Sequence, residues 1–225
     1  MRRLCSSRYE RQAHQRGFLR IAGLDEVGRG ALFGPVVAAA VILDPARRIL
    51  GLDDSKKLAP ERREVLATRI RERAVAWAVA EVDAGRIDAW NIRQASRQAM
   101  LLAVAMLAVS PDYLLIDAET LETPIAQRPL VHGDSRSISI AAASIVAKQA
   151  RDALMDQWAS VYPQYGFDRN RGYATADHLD ALRRHGPTPH HRYSFAPVRD
   201  ARCWAASATQ AALPLAGPGE GSRAE

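Results

Sequence analysis

Cysteine is almost missing from this chain: Cys5 and Cys203 lie near its two ends, with none between them. Such a pair builds no disulfide framework and no zinc–cysteine spacing, which predicts a reducing, cytoplasmic setting. His185, His190 and His191 with Cys203 match no zinc signature either. Long apolar runs are also lacking. The longest, Val36–Leu43 and Ala99–Val109, are too short to span a bilayer. No basic-then-apolar signal peptide opens the sequence, there is no internal repeat, and no Gly-Lys-Ser/Thr closes a nucleotide-cradling loop.

The chain has 225 residues, 48% of them hydrophobic, enough for one well-packed domain. Its net charge is +6 and its pI about 9.7, which favours a polyanionic partner. Residues 1–17 read as a basic leader. Across residues 1–20, Arg2, Arg3, Arg8, Arg11, Arg16 and Arg20 face Glu10 alone, so this arm either adds nonspecific phosphate affinity or is simply disordered and solvated. After Arg199 the composition turns to Ala, Gly, Ser and Pro, so 200–225 reads as a disordered tail, a possible dock for a replication partner. The folded domain is expected over 18–199, and nothing demands more than a monomer.

Ile21–Asp25 and Val36–Leu43 read as strands, the second an unbroken apolar run suited to a strand covered on both faces. Gly34-Pro35 between them fits an antiparallel hairpin. Pro60 starts a helix, and Val75–Val82 reads as a strand. Ile92, Ala95, Ala99, Leu102 and Met106 form the clearest helical stripe. Pro111-Asp112 closes it. Tyr113–Ile116 is a short strand ending in Asp117, and Pro129–His132 a second run leading into Gly133-Asp134-Ser135. An alanine-rich helix covers 139–159. Another covers Ala176–His185, with Thr175 as N-cap and Gly186-Pro187 as stop. The order predicts an α/β fold, a mixed sheet flanked by helices.

Ligand sites in open α/β sheets lie at strand ends, and Asp25, Glu26 and Asp117 all stand there. Two adjacent carboxylates at a buried strand end oppose each other's ionisation, a conflict that a divalent cation removes. Gly28, Arg29 and Gly30 follow at once. Glycine lets the backbone approach a ligand and use positive φ, and the guanidinium with backbone N–H groups can hold a phosphate. An acidic, Gly-containing turn after a strand is also a common structural feature. One geometric problem stands out: successive strand residues point to opposite faces. Either the pleat breaks at Glu26 or Glu26 contributes through its backbone carbonyl.

Taken together, Asp25-Glu26-Val27-Gly28-Arg29-Gly30, Asp54-Ser55-Lys56-Lys57-Leu58, Leu115-Ile116-Asp117, Gly133-Asp134-Ser135, Ala141–Lys148, Arg151-Asp152, Gly172-Tyr173 and His191–Phe195 resemble, in order, the signature of the type 2 ribonucleases H, specifically bacterial ribonuclease HII. The resemblance covers about residues 18–199. Two departures are Ala118, where the family usually has glycine, and His190, where leucine is common.

The resemblance implies a ribonuclease H-like fold with a helical C-terminal extension. It also implies an endonuclease cutting the RNA of RNA–DNA hybrids and cutting 5′ to single ribonucleotides in duplex DNA, leaving 3′-hydroxyl and 5′-phosphate ends. Asp25, Glu26, Asp117 and Asp134 map onto the family's catalytic carboxylates, which would bind two Mg²⁺ or Mn²⁺ ions. Such pairs sit ~3.5–4 Å apart and clamp the attacking and leaving oxygens. Gly28, Arg29, Gly30 and Tyr173 map onto the groups that sense the ribose 2′-hydroxyl, which separates RNA from DNA. Ser55, Lys56, Lys57 and Arg192 are expected at the substrate backbone. Asp134 could instead be a turn or capping residue, and Asp152 reads as a structural partner of Lys148. A silent hybrid-binding module and a DNA strand-transfer or DNA-only nuclease on a related fold are the competing readings.

Overall fold

Residues 5–201 are described by the structure, a computed structural model. The expected tail lies outside these residues, apart from its first two positions, and so does Cys203. Helix α1 (Arg8–Gln15) precedes strands β1 (Ile21–Val27) and β2 (Val36–Ile42). A 3-10 turn at Ser55–Lys57 leads to α2 (Pro60–Arg73), β3 (Ala76–Val82), α3 (Ala84–Trp90) and α4 (Ile92–Ala105). Then come β4 (Tyr113–Asp117), β5 (Ala126–Leu130), a 3-10 turn at Gly133–Ser135 and the 24-residue α5 (Ile138–Val161). A short α6 (Phe167–Asn170) and α7 (Ala176–His185) complete the order.

The five strands form one mixed sheet in the order β3-β2-β1-β4-β5. β1 is central, antiparallel to β2 and parallel to β4. Strand parity assigns the two faces. Ala22, Leu24, Leu114 and Ile116 point to the side covered by α3 and α4, where they join Ile87, Ala95, Ala99, Met100 and Ala103. Ile21, Leu115 and Leu130 point to the other side, against Ile140 of α5 and Tyr9 and Ala13 of α1. Gly23 lies on that same face. A Cβ there would come within 2.0 Å of the Ser139 carbonyl carbon, so its lack of a side chain sets how closely α5 approaches β1.

The expected elements form with three differences. The helical stripe forms α4 as expected, but a separate helix that the sequence did not signal, α3 capped by Asp83, precedes it; between them Asn91 stands at φ 75 and caps α4, accepting from Arg93 and Gln94. The last strand runs over Ala126–Leu130 rather than Pro129–His132. It is the exposed sheet edge, where Pro129 and polar side chains are tolerated. Residues 8–15, expected as leader, form a helix with Tyr9, Glu10 and Ala13 buried. Glu10 Oε1 accepts from Ser137 Oγ (2.6 Å) and Ser139 N (3.0 Å), binding α1 to the first turn of α5. No described helix is long and apolar enough to cross a membrane.

Candidate active site

The parallel strands β1 and β4 end side by side, and parity puts Asp25 and Asp117 on the same face, toward α5. The Asp25 side chain is buried where the strand meets the helix. Burial first, then the charges of Glu26 and Asp117, hold its carboxyl well above the ordinary range, and a hydrogen bond with Ser144 on α5 works against them. Asp117 Oδ1 accepts from Gly133 N at 2.7 Å, tying β4 to the turn that carries Asp134. Asp134 is only 8% exposed. Burial, then Asp54 and Asp117, raise its carboxyl, with Lys56 opposing. It does not cap α5; Ser137 does, accepting from Ile140 N. Asp25, Asp117 and Asp134 are therefore mutual electrostatic neighbours on one face.

Glu26 lies on the opposite face. The pairing of β1 with β2 continues through Glu26↔Ala38 to Val27↔Val37, so of the two alternatives the pleat break at Glu26 does not occur. The Glu26 side chain is 7% exposed, and Arg29 Nη1 lies 2.9 Å from its Oε1. Burial raises its carboxyl while Arg29 lowers it. Its Oε2 is buried with no hydrogen-bond partner. On this side stands a residue that sequence reasoning missed. Glu119, buried two positions beyond Asp117, faces Arg29, Arg93 and Arg97 at 3.1–3.6 Å. Its charge among polar residues gave no periodic signal; only the packing of α4 on the sheet assembles the group.

After β1 the chain turns at Gly28 (φ 91) and runs through a loop stitched to two distant segments. Leu32 N donates to Gly172 O and Arg192 N to Leu32 O, both at 2.8 Å, and Gly34 N donates to His190 O at 2.9 Å. Two fully buried arginines secure the same loop. Arg192 donates to Gly34 O (3.0 Å) and Arg29 O (2.8 Å). Arg151 donates to Pro35 O (3.4 Å), Phe33 O (3.2 Å) and Arg171 O (2.8 Å), with its guanidinium 5.4 Å from the centre of the Tyr173 ring. Gly28 sits directly on Arg151. The segment Gly28–Gly30 and Tyr173 are thus held to each other through Arg151 and Gly172. Behind Tyr173 runs a chain of buried groups: Thr188 N donates to His191 Nδ1, His191 Nε2 lies 3.1 Å from His178 Nε2, and His178 Nδ1 lies 2.9 Å from Tyr173 O. The Thr188 donor fixes the tautomers, with both rings neutral and each passing a proton donor toward Tyr173.

Similarity to known proteins identifies the family. The family model described as Ribonuclease HII matches residues 22–198. The chain belongs to the ribonuclease HII family. It is 58% identical over 195 residues to the Ribonuclease HII of Solibacter usitatus (strain Ellin6076), covering 87% of this chain and 86% of that one. Among solved structures, the ribonuclease H2 of Pyrococcus horikoshii OT3 shares the fold with a TM-score of 0.70 at 23% identity, over 82% of this chain and 97% of the other. Bst-RNase HIII, solved in complex with Mn²⁺, matches with a TM-score of 0.65 at 26% identity, over 85% and 71% of the two chains. As a ribonuclease HII family member, the chain is a ribonuclease H endonuclease.

Within this ribonuclease HII frame, several expected contacts change character. Ser55 is buried, its Oγ 2.9 Å from Ser144 Oγ, so it supports the residue beside Asp25 instead of facing a substrate. Arg192 has no exposed surface and serves the loop backbone. Lys56 and Lys57 are exposed as expected, with Lys57 3.5 Å from Asp53 and 3.6 Å from Asp54. Gly30 has no positive φ, and a Cβ there would meet nothing within 4 Å. Ala118, where the family usually has glycine, stands at φ 51, the left-handed region that glycine occupies without strain. Asp152 is structural, a partner of Lys148, Arg63 and Arg171. His191 packs in the core against His178. Among the described residues, no three His, Cys, Asp or Glu side chains already converge as a preformed metal cage. A cavity of about 650 Å³ between α1 and the loop after β2 contains none of the four carboxylates.

Proposed function

We propose that this chain cleaves the RNA strand of RNA–DNA hybrids and cuts 5′ to single ribonucleotides in duplex DNA, using divalent cations held by Asp25, Glu26, Asp117 and Asp134. The observation that carries this reading is the carboxylate group itself. Asp25, Glu26 and Asp134 are held above the ordinary carboxylate range by burial, each with a further carboxylate acting on it, and Glu26 Oε2 is buried without a partner. A fold does not retain such a group for its own stability, because buried like charges are costly. The all-oxygen donor set fits hard cations such as Mg²⁺ or Mn²⁺. Bound there, they would activate water and stabilise the departing 3′ oxygen.

The remaining work falls to the chain's own residues. Asp25 Oδ1 accepts from Glu26 N at 2.8 Å and Asp117 Oδ1 from Gly133 N at 2.7 Å, so their orientation is set before anything binds. Glu26 is engaged by Arg29 on the other face and contributes either by releasing Arg29 or through its backbone carbonyl. Gly28–Gly30 and Tyr173, tied together by Arg151, form the ribose sensor; the open space at Gly30 lets a sugar approach the backbone. Lys56 and Lys57 contact the phosphate backbone.

The test is cleavage of a labelled DNA duplex holding one ribonucleotide, with Mg²⁺, with Mn²⁺ and with chelator, beside an all-DNA control. The expected result is a metal-dependent cut on the 5′ side of the ribonucleotide and an intact control. Equal cutting of the control would remove the 2′-hydroxyl assignment. Asp25→Asn and Asp117→Asn should each lower turnover by roughly a thousandfold, about 4 kcal/mol of barrier, while hybrid binding falls far less. Near-normal cleavage by either would remove the metal assignment.

A further inference from the structure

Glu119 is a buried carboxylate with an excess of cations. Its Oε1 lies 3.6 Å from Arg29 Nη1 and 3.4 Å from Arg93 Nε, and its Oε2 3.1 Å from Arg97 Nε. Arg29 also holds Glu26, so three guanidiniums share two carboxylates and one positive charge is left over. Arg93 and Arg97 occupy consecutive turns of one face of α4, four residues apart. Each meets Glu119 through Nε, the inner nitrogen, which leaves the terminal nitrogens as donors. Among the described residues neither arginine has another carboxylate or carbonyl partner. Their side chains are 63% and 31% exposed. A solvated ion pair of the ordinary kind sets one cation against one exposed anion and is worth little. Here the anion is 8% exposed and orients three cations at once.

The placement gives this group a use. Arg29 spans Glu26 and Glu119, so the cluster begins one guanidinium away from the proposed catalytic carboxylates. On the other face of the sheet, Lys56 acts on Asp134, and Lys57 follows it in the same 3-10 turn. The strand ends thus lie between two cationic groups, a layout that fits a polyanion crossing the sheet edge. An arginine fork with free terminal donors suits phosphate oxygens.

We propose that Arg93 and Arg97, with Arg29, form a binding site for backbone phosphates of the nucleic-acid substrate, and that Glu119 is the residue that positions them. This rests on the reading that the substrate is a polynucleotide cut at Asp25 and Asp117. The site fixes where the duplex leaves the carboxylates on the α4 side. It contributes to affinity and register and takes no part in bond cleavage.

The test measures binding of a DNA duplex holding one ribonucleotide, with chelator present to prevent turnover, across a range of salt. For Arg93→Gln/Arg97→Gln the slope of log affinity against log salt should fall by roughly 2, about 1 per lost phosphate contact. Neutral methylphosphonates placed one at a time along each strand give the position. At one or two adjacent phosphates the replacement should weaken binding to the unmodified protein and leave binding to the double variant unchanged. Arg93→Gln alone, at an exposed side chain, should lower the slope by roughly 1 and keeps the test valid if the double variant unfolds. An unchanged slope, or equal losses at every methylphosphonate position in both proteins, would overturn the site and leave the cluster as a brace for α4. Cleavage of the same duplex by the unmodified protein with Mn²⁺ separates the two claims: if it cuts, an unchanged slope counts against this site alone. If it neither binds nor cuts, the functional reading fails and the site falls with it.

Discussion

Gly28 and Gly30 stand two residues apart in one loop, and the structure assigns them opposite consequences on substitution. At Gly28 the backbone is at φ 91, and a Cβ would come within 2.2 Å of Arg151 Nε, 2.8 Å of its Cδ and 2.9 Å of its Cζ. Holding alanine at that φ costs about 1–2 kcal/mol. The guanidinium cannot yield freely, because it is buried and donates to three backbone carbonyls. Displacing it lengthens or breaks at least one hydrogen bond made by a charged group, worth about 1.5–3 kcal/mol. Gly28→Ala should therefore lose about 2.5–5 kcal/mol. At ~2–4 °C per kcal/mol for a domain of this size, the melting temperature falls by roughly 5–20 °C. At Gly30 φ is not positive and nothing lies within 4 Å. Gly30→Ala should keep full stability, or gain a few tenths of a kcal/mol from a stiffer unfolded chain. Its expected cost is functional, since the new methyl group occupies the space proposed for the ribose. Urea and thermal unfolding of both variants, with cleavage of single-ribonucleotide duplex, check this directly. Equal stabilities for the two would refute the packing of Gly28 on Arg151. Full activity in Gly30→Ala would refute close approach of the sugar to that backbone.

Tyr173→Ala should impair substrates with one ribonucleotide more than continuous hybrids, because a single ribose offers no alternative register; equal losses would mean that Tyr173 only packs. Mn²⁺ at about a hundredfold over its dissociation constant should stabilise the protein by about 2.7 kcal/mol, some 5–10 °C in melting temperature. Asp25→Asn should lose most of that shift while melting no lower than the unmodified protein without metal, since one of the crowded carboxylates is gone. An undiminished shift would place the metal elsewhere. Burial first, then His178, push His191 down to about 3 from an ordinary 6.5. Between those values the unfolded chain binds a proton that the folded protein refuses, so His191 subtracts stability as pH falls below about 6.5, at about 1.4 kcal/mol per pH unit. The raised carboxylates act in the opposite sense, so the measurement is the difference in unfolding free energy between the unmodified protein and His191→Gln. That difference should shrink from pH 7 to pH 5, and parallel profiles would refute the buried neutral pair.

The sequence by itself determined the elements and the acidic ends of the strands. Apolar runs such as Val36–Ile42, the stripe of α4, and the Thr175 and Gly186 boundaries of α7 are local signals, written in periodicity and in capping chemistry that neighbouring residues supply. The order of the motifs along the chain is by itself specific to ribonuclease HII. Where local signals are weak, long-range contacts decide: β5 is a polar edge strand held by pairing to β4, and α1 holds on through Glu10 at the start of α5. Only the tertiary structure decided which side chains meet. Parity put Asp25 with Asp117 and sent Glu26 to the other face; packing buried Ser55 and Arg192, which looked like substrate contacts, and gathered Arg29, Arg93 and Arg97 around Glu119. The physical reason is range. Propensity and capping act within a few residues along the chain, whereas burial and charge pairing act across space between segments up to 163 residues apart, as in the bond from Arg192 to Arg29.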